Sequence, residues 1–192
     1  WVCSITNTSI SEALNNVEKY FSDTNDLSNS SFFLPYLSGE RTPHNDPYIR
    51  GSFHSMKTTT NATNLQYAVI EGISFGILDG VNSILKVNNN FEKIFMVGGG
   101  SKSKFWIDLL ASLLNKKLSV CDQSEFGAAL GVARLAMYID KKNQSNASII
   151  KEINISETFN PNQDKIDILL KRYNIWKDLY SSNKKIASNL LA

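Results

Sequence analysis

The stretch Gly98-Gly99-Gly100-Ser101 is the part of the sequence best suited to bind a phosphate group. It follows a short apolar run with a β-like composition, residues 94–97 (IFMV), and precedes a segment with helical spacing. A strand that ends in glycines and opens a helix gathers bare backbone N–H groups at the positive end of the helix dipole. The run is neither GxGxxG nor a Walker motif, so a tight structural turn explains it equally well. Both alternatives stay open at this point.

A second candidate site is the loop of residues 37–47 (LSGERTPHNDP). It combines two carboxylates, a guanidinium and an imidazole, which an enzyme can use as acid, base or phosphate clamp. The alternative is structural: Glu40 or Asp46 pairs with Arg41 or Arg50 and staples the loop, because structural ion pairs are common. We favour the structural interpretation.

The histidines and cysteines do not suggest a metal site. His44 and His54 lack a plausible second ligand nearby, and neither Cys3 nor Cys121 belongs to a CxxC motif. Cys121 lies at the end of a predicted strand and is expected to be a small core residue rather than a nucleophile. Two isolated cysteines suit a reducing compartment, which predicts a cytoplasmic protein.

The composition is that of a globular domain. The 192 residues are 42% hydrophobic and 10% aromatic, which is enough for one sizeable core. Twenty Lys and Arg face eighteen Asp and Glu without forming a basic stripe, which argues against a nucleic-acid partner. No uninterrupted apolar run approaches the roughly 18 residues of a membrane span. The sequence starts at Trp1 rather than Met, which leads us to expect a fragment of a longer protein.

The elements that position the candidate sites follow from the spacing of apolar residues. Residues 1–8 predict a strand that runs into a turn, and residues 51–56 predict a short strand. Between them, Ser9 or Ser11 can cap a helix whose apolar residues recur at helical spacing: Ile10, Leu14, Val17 and Phe21.

A long helix is predicted over residues 62–86. Each glycine inside a helix costs about 1 kcal/mol relative to alanine, so three at one spacing predict the close approach of another backbone. We therefore expect this helix to be buried in the middle of the domain. Its bulky stripe comprises Leu65, Val69, Ile73, Ile77, Val81 and Leu85, and its small stripe comprises Ala68, Gly72, Gly76 and Gly80.

Residues 94–139 alternate between strand and helix, with strands at 94–97 and 118–122 and a glycine- and alanine-rich helix at 127–139. This order predicts an α/β domain whose sheet is at least partly parallel. A last helix is expected to start near Asn160-Pro161. Two apolar faces are predicted, one formed by Trp106, Leu109, Leu110 and Leu113 and the other by Ile166, Leu169, Leu170, Tyr173 and Trp176.

Four segments, in this order along the chain, resemble the FGGY carbohydrate kinases: residues 33–47 (FLPYLSGERTPHNDP), 51–71, 97–106 (VGGGSKSKFW) and 126–136 (FGAALGVARLA). The resemblance implies an actin-like, RNase H-like α/β fold with a mixed sheet flanked by helices. Residues 1–192 would form the carboxy-terminal, nucleotide-binding domain of a two-domain kinase. ATP and sugar would meet between the domains, with Mg²⁺ bridging the phosphates. The proton-accepting aspartate would belong to the absent amino-terminal domain, so no catalytic residue or metal ligand is expected here.

The resemblance also assigns binding residues. Gly98, Gly99 and Gly100, with Ser101 completing the run, match the loop that meets the α-phosphate and ribose side of ATP. Ser103 falls where relatives place a small polar residue near adenine, and Asn15 falls where some relatives have a side chain facing the nucleotide. Family members also have a Gly-Thr-Ser strand upstream of the position of Trp1. Its absence predicts an incomplete, poorly stable sheet, because backbone groups would remain unpaired in the interior.

The substrate and the biological unit are less constrained by the resemblance. The form of residues 33–47 is most similar to members that phosphorylate D-xylulose, which would yield D-xylulose 5-phosphate. The alternatives are another sugar (ribulose, gluconate, fuculose or glycerol) or an actin-like nucleotide-binding module without phosphotransfer. A homodimer is compatible with the family, and neither a nucleic acid nor a membrane is expected as a partner.

Overall fold

The computed structural model describes residues 1–24, 31–87, 93–122, 127–140 and 154–190. Six α-helices, five strands and one 3-10 helix lie in these ranges. The helices are α1 (Val2–Ile5), α2 (Ile10–Thr24), α3 (Ala62–Leu85), α4 (Lys104–Leu114), α5 (Gly127–Asp140) and α6 (Gln163–Leu190). The strands are β1 (Phe32–Leu34), β2 (Ser52–His54), β3 (Ile94–Met96), β4 (Leu118–Cys121) and β5 (Ile155–Phe159), and the 3-10 helix spans Gly99–Lys102.

The first element is a single helical turn, α1, so the strand predicted for residues 1–8 is wrong. The Thr6 hydroxyl donates to the carbonyl of Val2 at 2.9 Å, and this local bond favours the turn over an extended chain. The Trp1 ring stacks on Phe33 and Phe53, with centroids 5.5 and 6.0 Å away. Tertiary stacking therefore overrides the β-like composition of this segment.

Helix α2 begins as the sequence predicts. Ser9 accepts from the N–H of Glu12 at 3.2 Å and Glu12 accepts from the N–H of Ser9 at 2.7 Å, which is a capping box. Val17 and Phe21 are buried in the core, whereas Ile10 is 71% exposed. The predicted apolar face is thus confirmed except at the first turn of the helix.

The long helix α3 is confirmed, but the close approach occurs at one of its glycines only. A Cβ on Gly72 would overlap the carbonyl oxygen of Phe33 in β1 and lie 3.1 Å from its carbonyl carbon. A Cβ on Gly76 would meet only Pro35 at 3.9 Å, and one on Gly80 would meet nothing within 4 Å. The prediction therefore holds at Gly72 and is wrong at the other two. The helix is buried through its first half, while Ile77 is 38% exposed.

Strands β3, β4 and β5 form a mixed sheet in that order, parallel between β3 and β4 and antiparallel between β4 and β5. The predicted parallel pairing is confirmed, whereas β5 was not predicted because its residues alternate weakly and are mostly exposed. Helix α4 covers the sheet through a second core cluster: Ile107, Leu110, Ala111, Leu118 and Phe159. Strands β1 and β2 form a separate antiparallel pair.

Helix α6 closes the main core and starts at Gln163, two residues after Pro161. The Asn162 side chain accepts from the N–H of Asp164 at 3.0 Å and sets this start. Leu169, Tyr173 and Trp176 are buried as predicted, whereas Leu170 is 38% exposed.

A buried ion pair connects α6 to α3. Arg172 donates to both carboxylate oxygens of Glu71 at 2.6 Å, and the Tyr67 hydroxyl donates to Oε1 at 3.0 Å. Glu71 is 1% exposed and Arg172 is 3% exposed, and the guanidinium lies 4.3 Å from the centroid of the Phe32 ring. Burial raises the pKa of Glu71, against the opposing effect of Arg172 and Tyr67. The pair therefore joins two helices across the core.

Among the described helices, α3 is the one long and apolar enough, by length and composition alone, to cross a membrane. Its buried ion pair and its contact with β1 at Gly72 are those of the core helix of a folded domain. Helix α5 is different: its side chains over residues 127–137 are all exposed or half-buried, although only Arg134 among them is polar. This leaves an apolar helix face in contact with solvent.

Candidate functional site

The glycine loop links β3 to α4 through a 3-10 helix. Gly98 precedes it with φ +84°, a left-handed conformation that glycine adopts without strain. The N–H of Ser101 donates to the carbonyl of Gly98 at 3.1 Å, and that of Ser103 donates to Gly100 at 3.2 Å. The first N–H groups of a helix have no acceptor inside that helix, so those of Gly99 and Gly100 are available to a ligand.

The three glycines of the loop have different surroundings. Gly98 is required by its positive φ, whereas a Cβ on Gly99 would meet nothing within 4 Å, which leaves open space for a ligand. A Cβ on Gly100 would lie 2.8 Å from Cζ3 of Trp106, so the indole ring forms the floor of the loop. The loop is thus packed on one side and open on the other, which leaves room for a ligand beside Gly99.

Trp106 anchors this loop to α3. Its indole N–H donates to the Ser74 hydroxyl at 2.9 Å, and Ser74 donates onward to the carbonyl of Ile70 at 2.8 Å. The sequence placed Trp106 on the apolar face of a helix but gave no indication that it supports Gly100. The one sequence feature that could have indicated this support is a tryptophan three residues after an N-cap serine.

The two serines of the loop serve its structure. Ser101 is buried and its hydroxyl donates to the carbonyl of Gly98 at 2.7 Å. Ser103 is the N-cap of α4, and its hydroxyl accepts from the N–H of Trp106 at 3.3 Å. Both hydroxyls therefore hold the loop in shape, and any role toward a nucleotide remains a prediction.

An apolar cavity of about 350 Å³ adjoins the glycine loop. It lies between the loop and helices α1, α2 and α3, and its size is within the range of small-molecule sites. Gln66 is its main polar residue: the side-chain amide donates to Thr6 and Thr8 at 3.0 Å each. The amide oxygen of Gln66 is buried and has no hydrogen-bond partner among the described residues. The cavity is lined by Val2, Cys3, Ile10, Ala13, Leu14, Gln66, Ile70, Ile73, Gly99, Gly100 and Trp106.

Asn15, the remaining predicted binding residue, does not line this cavity. Its side chain is exposed on α2, and its neighbour Leu14 lines the cavity instead. The structure thus brings Gly99 and Gly100 to the cavity, and places Asn15 outside its walls.

The loop of residues 37–50 is held together by hydrogen bonds to its carboxylates, and not by ion pairs with arginines as predicted. Glu40 accepts from the backbone N–H of His44 at 2.8 Å, and Asp46 accepts from those of Tyr48 and Ile49 at 3.0 and 3.1 Å. The cation near Asp46 is Lys184 of α6, at 3.7 Å. The two carboxylates accept from backbone N–H groups that are close to them in sequence rather than from arginine side chains. The predicted pairing with Arg41 or Arg50 is therefore wrong.

Asp46 also ties this loop to α6. The Tyr180 hydroxyl donates to its Oδ2 at 3.0 Å. Burial alone would raise the pKa of Asp46, but the hydrogen bonds from Tyr48, Tyr180 and Ile49 and the charge of Lys184 together lower it. The carboxylate is therefore held ionised as a structural acceptor.

Of the two cysteines, Cys121 is not placed for nucleophilic chemistry. Both are free thiols, and Cys121 is buried in the sheet as predicted for a core residue. Burial raises the pKa of its thiol, with a smaller contribution from Asp122. Within the described ranges, no group of three or more His, Cys, Asp and Glu side chains could hold a metal ion.

Comparison with known proteins gives a consistent result. The profile of the "FGGY family of carbohydrate kinases, C-terminal domain" matches residues 1–139. A xylulose kinase of Staphylococcus epidermidis is 33% identical over 164 residues, which are 85% of this chain and 33% of that protein. The chain thus spans about one third of the length of such relatives.

Solved structures agree with this result. A xyloylose kinase from Brucella ovis superposes with a TM-score of 0.83 at 30% identity, over 97% of this chain and 37% of the other. A gluconate kinase from Lactobacillus acidophilus gives 0.70 at 26% identity, over 91% of this chain and 34% of the other. The actin-like α/β fold with a mixed sheet, expected from the sequence, is confirmed.

Proposed function

Because the chain belongs to the FGGY family of carbohydrate kinases, we propose that residues 1–192 form the C-terminal, nucleotide-binding domain of an ATP-dependent sugar kinase. The observation that carries the proposal is the open side of the glycine loop beside an apolar cavity. The parent protein is proposed to convert D-xylulose to D-xylulose 5-phosphate in the cytoplasm. Similarity to xylulose kinases along 85% of the chain supports this substrate.

The residues present fit the adenosine and α-phosphate side of ATP. Gly99 and Gly100 offer backbone N–H groups to a phosphate, because a helix start favours negative charge. The apolar cavity can accept a flat base, and the buried amide oxygen of Gln66 has no donor within the described part of the chain, which an amino or hydroxyl group of a ligand could supply. Ser101 and Ser103 keep the loop in shape, and Asn15 is retained as a peripheral nucleotide contact.

When bound, ATP together with Mg²⁺ would supply the phosphoryl group, and Gly99 and Gly100 would hold the α-phosphate side of the nucleotide. The contribution of this chain is to position the nucleotide, since positioning and charge neutralisation dominate phosphoryl transfer. Trp106 fixes Gly100 from below and Ser74 fixes Trp106 in turn, so the phosphate-facing backbone is held before a ligand arrives. The group that accepts the proton of the sugar hydroxyl is proposed to lie in another domain of the parent protein.

Steady-state kinetics of the full-length protein test the nucleotide site. Gly99→Val places methyl groups in the open space of the loop, so the KM for ATP should rise about tenfold or more, equivalent to a loss of about 1.4 kcal/mol of binding. The KM for the sugar should change little. Gly80→Val is the matched control, because that position is also open but lies on the far half of α3. Equal effects of Gly99→Val on both KM values would show that the glycines serve only as a turn.

A second substrate is favoured by one observation, the similarity to a gluconate kinase over 91% of the chain. Activity of the full-length protein toward D-xylulose, gluconate, ribulose, fuculose and glycerol separates these candidates by kcat/KM. The gene upstream of the Trp1 codon provides a further check. A DxGT-type segment there is expected for a kinase, and its absence would favour a nucleotide-binding module without phosphotransfer.

We further propose that another segment of the parent protein completes this domain. In the described part of the chain, β3 pairs only with β4, so its other edge is unpaired. Helix α5 also has an exposed apolar face, on which Val132 is 66% exposed and Leu135 is 65% exposed, and such a face favours contact with another segment. The isolated 192-residue chain should therefore unfold at low temperature or without cooperativity. A cooperative, high-temperature melt of the monomer would contradict this.

A further inference from the structure

A second cavity, of about 640 Å³, lies near the other end of α3. It shares no lining residue with the cavity at the glycine loop, and Asn82 lies nine residues beyond Ile73, roughly 14 Å along the helix axis. Three elements converge on it: the second half of α3, the middle of α6 and the loop that contains His44. The lining comprises Pro43, His44, Asp79, Asn82, Ser83, Lys86, Tyr173 and Lys177.

Asp79 forms the floor of this polar cavity. The Tyr173 hydroxyl donates to Oδ1 of Asp79 and accepts from the amide of Asn82 at 3.2 Å. Burial and the bond to Asp79 raise the pKa of Tyr173 above its usual range, so the hydroxyl remains a donor. The side chain of Asp79 is only 13% exposed, which keeps its carboxylate fixed.

The second oxygen of Asp79 lies near the His44 ring. Oδ2 lies 3.9 Å from Nε2 of His44, which is longer than a hydrogen bond. The His44 ring stacks on Tyr180 at 3.7 Å between centroids with 8° between the planes, and this stack holds the ring in its orientation. A ligand hydroxyl that lies beside this pair, about 2.8 Å from each atom, could donate to Oδ2 and hydrogen-bond with Nε2.

The rim of the cavity is positively charged. Lys86 and Lys177 are both exposed, and the ammonium of Lys177 lies 5.0 Å from the centroid of the Tyr173 ring. Two lysines therefore line the cavity together with one carboxylate that is already hydrogen-bonded. An ammonium is a flexible point charge that suits a phosphate oxygen.

We propose that this cavity binds a small organic phosphate that also carries hydroxyl groups. The phosphate contacts Lys86 and Lys177, and a hydroxyl hydrogen-bonds with both Asp79 and His44. The site is separate from the nucleotide site and does not depend on the function proposed above.

Isothermal titration of the full-length protein with glycerol 2-phosphate tests this site. Lys86→Ala and Lys177→Ala should each weaken binding about tenfold, because each removes a charge-assisted contact. His44→Phe preserves the stack on Tyr180 but removes Nε2, so it should weaken glycerol 2-phosphate binding and leave inorganic phosphate unaffected. Lys171→Ala is the matched control, an exposed lysine on α6 that does not line the cavity.

Two further measurements make the outcome decisive. Gly99→Val should leave glycerol 2-phosphate binding unchanged, since it alters only the nucleotide loop. Inorganic phosphate should bind wild type several-fold more weakly than glycerol 2-phosphate. The proposal is overturned if wild type binds neither compound, or if both lysine variants bind like wild type. Equal affinity for the two compounds would overturn the hydroxyl contact.

Discussion

Replacing Gly72 with alanine tests how tightly α3 is packed against β1. The new Cβ would overlap the carbonyl oxygen of Phe33, whereas close C···O contacts keep about 3.3–3.6 Å. It would also lie 3.1 Å from the carbonyl carbon of Phe33. Strand β1 would have to move by the order of 1 Å. The same oxygen accepts from the indole N–H of Trp176 at 2.8 Å, so a shift would also weaken a buried hydrogen bond.

The magnitude follows from three contributions. Overpacking costs about 1–3 kcal/mol, and a weakened buried hydrogen bond costs about 1–3 kcal/mol. Alanine has a higher helix propensity than glycine, which stabilises the helix by about 1 kcal/mol. Gly72→Ala should therefore destabilise the domain by about 3 kcal/mol. Gly80→Ala, where a Cβ meets nothing within 4 Å, should stabilise it by up to about 1 kcal/mol.

Hydrogen exchange followed by mass spectrometry on the full-length protein measures the difference in stability between the two variants at α3 itself. Peptides within residues 62–85 should lose about a hundredfold in protection in Gly72→Ala, since about 1.4 kcal/mol corresponds to tenfold. The same peptides should be equally or better protected in Gly80→Ala. Unchanged protection in Gly72→Ala, or equal losses in both variants, would refute the packing argument.

Two other predictions concern charged groups. Glu71→Leu should destabilise the protein by about 3–5 kcal/mol, because Arg172 would remain buried without its partner. The double variant Glu71→Leu/Arg172→Met should recover most of that loss in urea unfolding, and a double variant as unstable as the single one would contradict this. For Asp46, whose pKa is lowered in the folded state, the stabilising effect is present above the unfolded pKa of about 3.9 and is lost as pH falls through the folded value. The melting temperature of Asp46→Asn should therefore lie below that of wild type between pH 5 and 8 and converge with it under acid, whereas a gap that persists in acid would show that charge is not the cause.

The elements with strong periodicity could be predicted from the sequence. The helices α2, α3 and α4 and the parallel strands β3 and β4 lie within a few residues of their expected positions, because burial imposes their apolar spacing. Helix α1 and strand β5 could not be predicted in the same way. The first depends on stacking of Trp1 against residues more than thirty positions away, and the second is mostly exposed and therefore carries no apolar alternation.

In the candidate site, too, some features could be predicted from local sequence and others depend on tertiary contacts. The glycine loop was evident from its composition, but its floor, Trp106, and the link from Trp106 to Ser74 depend on tertiary packing. The partners of Asp46 also could not be predicted, because Tyr180 and Lys184 lie on the last helix, more than 130 residues away. Sequence spacing identifies local motifs, whereas partners of buried polar groups are fixed by the fold.

The position of Arg172 has a consequence for synthesis of the protein on the ribosome. Glu71 is translated 101 residues before its partner, so at about 5–20 residues per second its carboxylate waits roughly 5–20 s for a counter-charge. Throughout that interval the nascent α3 presents an apolar face and an unpaired acid, which is the kind of surface that chaperones hold. We therefore expect this domain to acquire its native core only after α6 has left the exit tunnel.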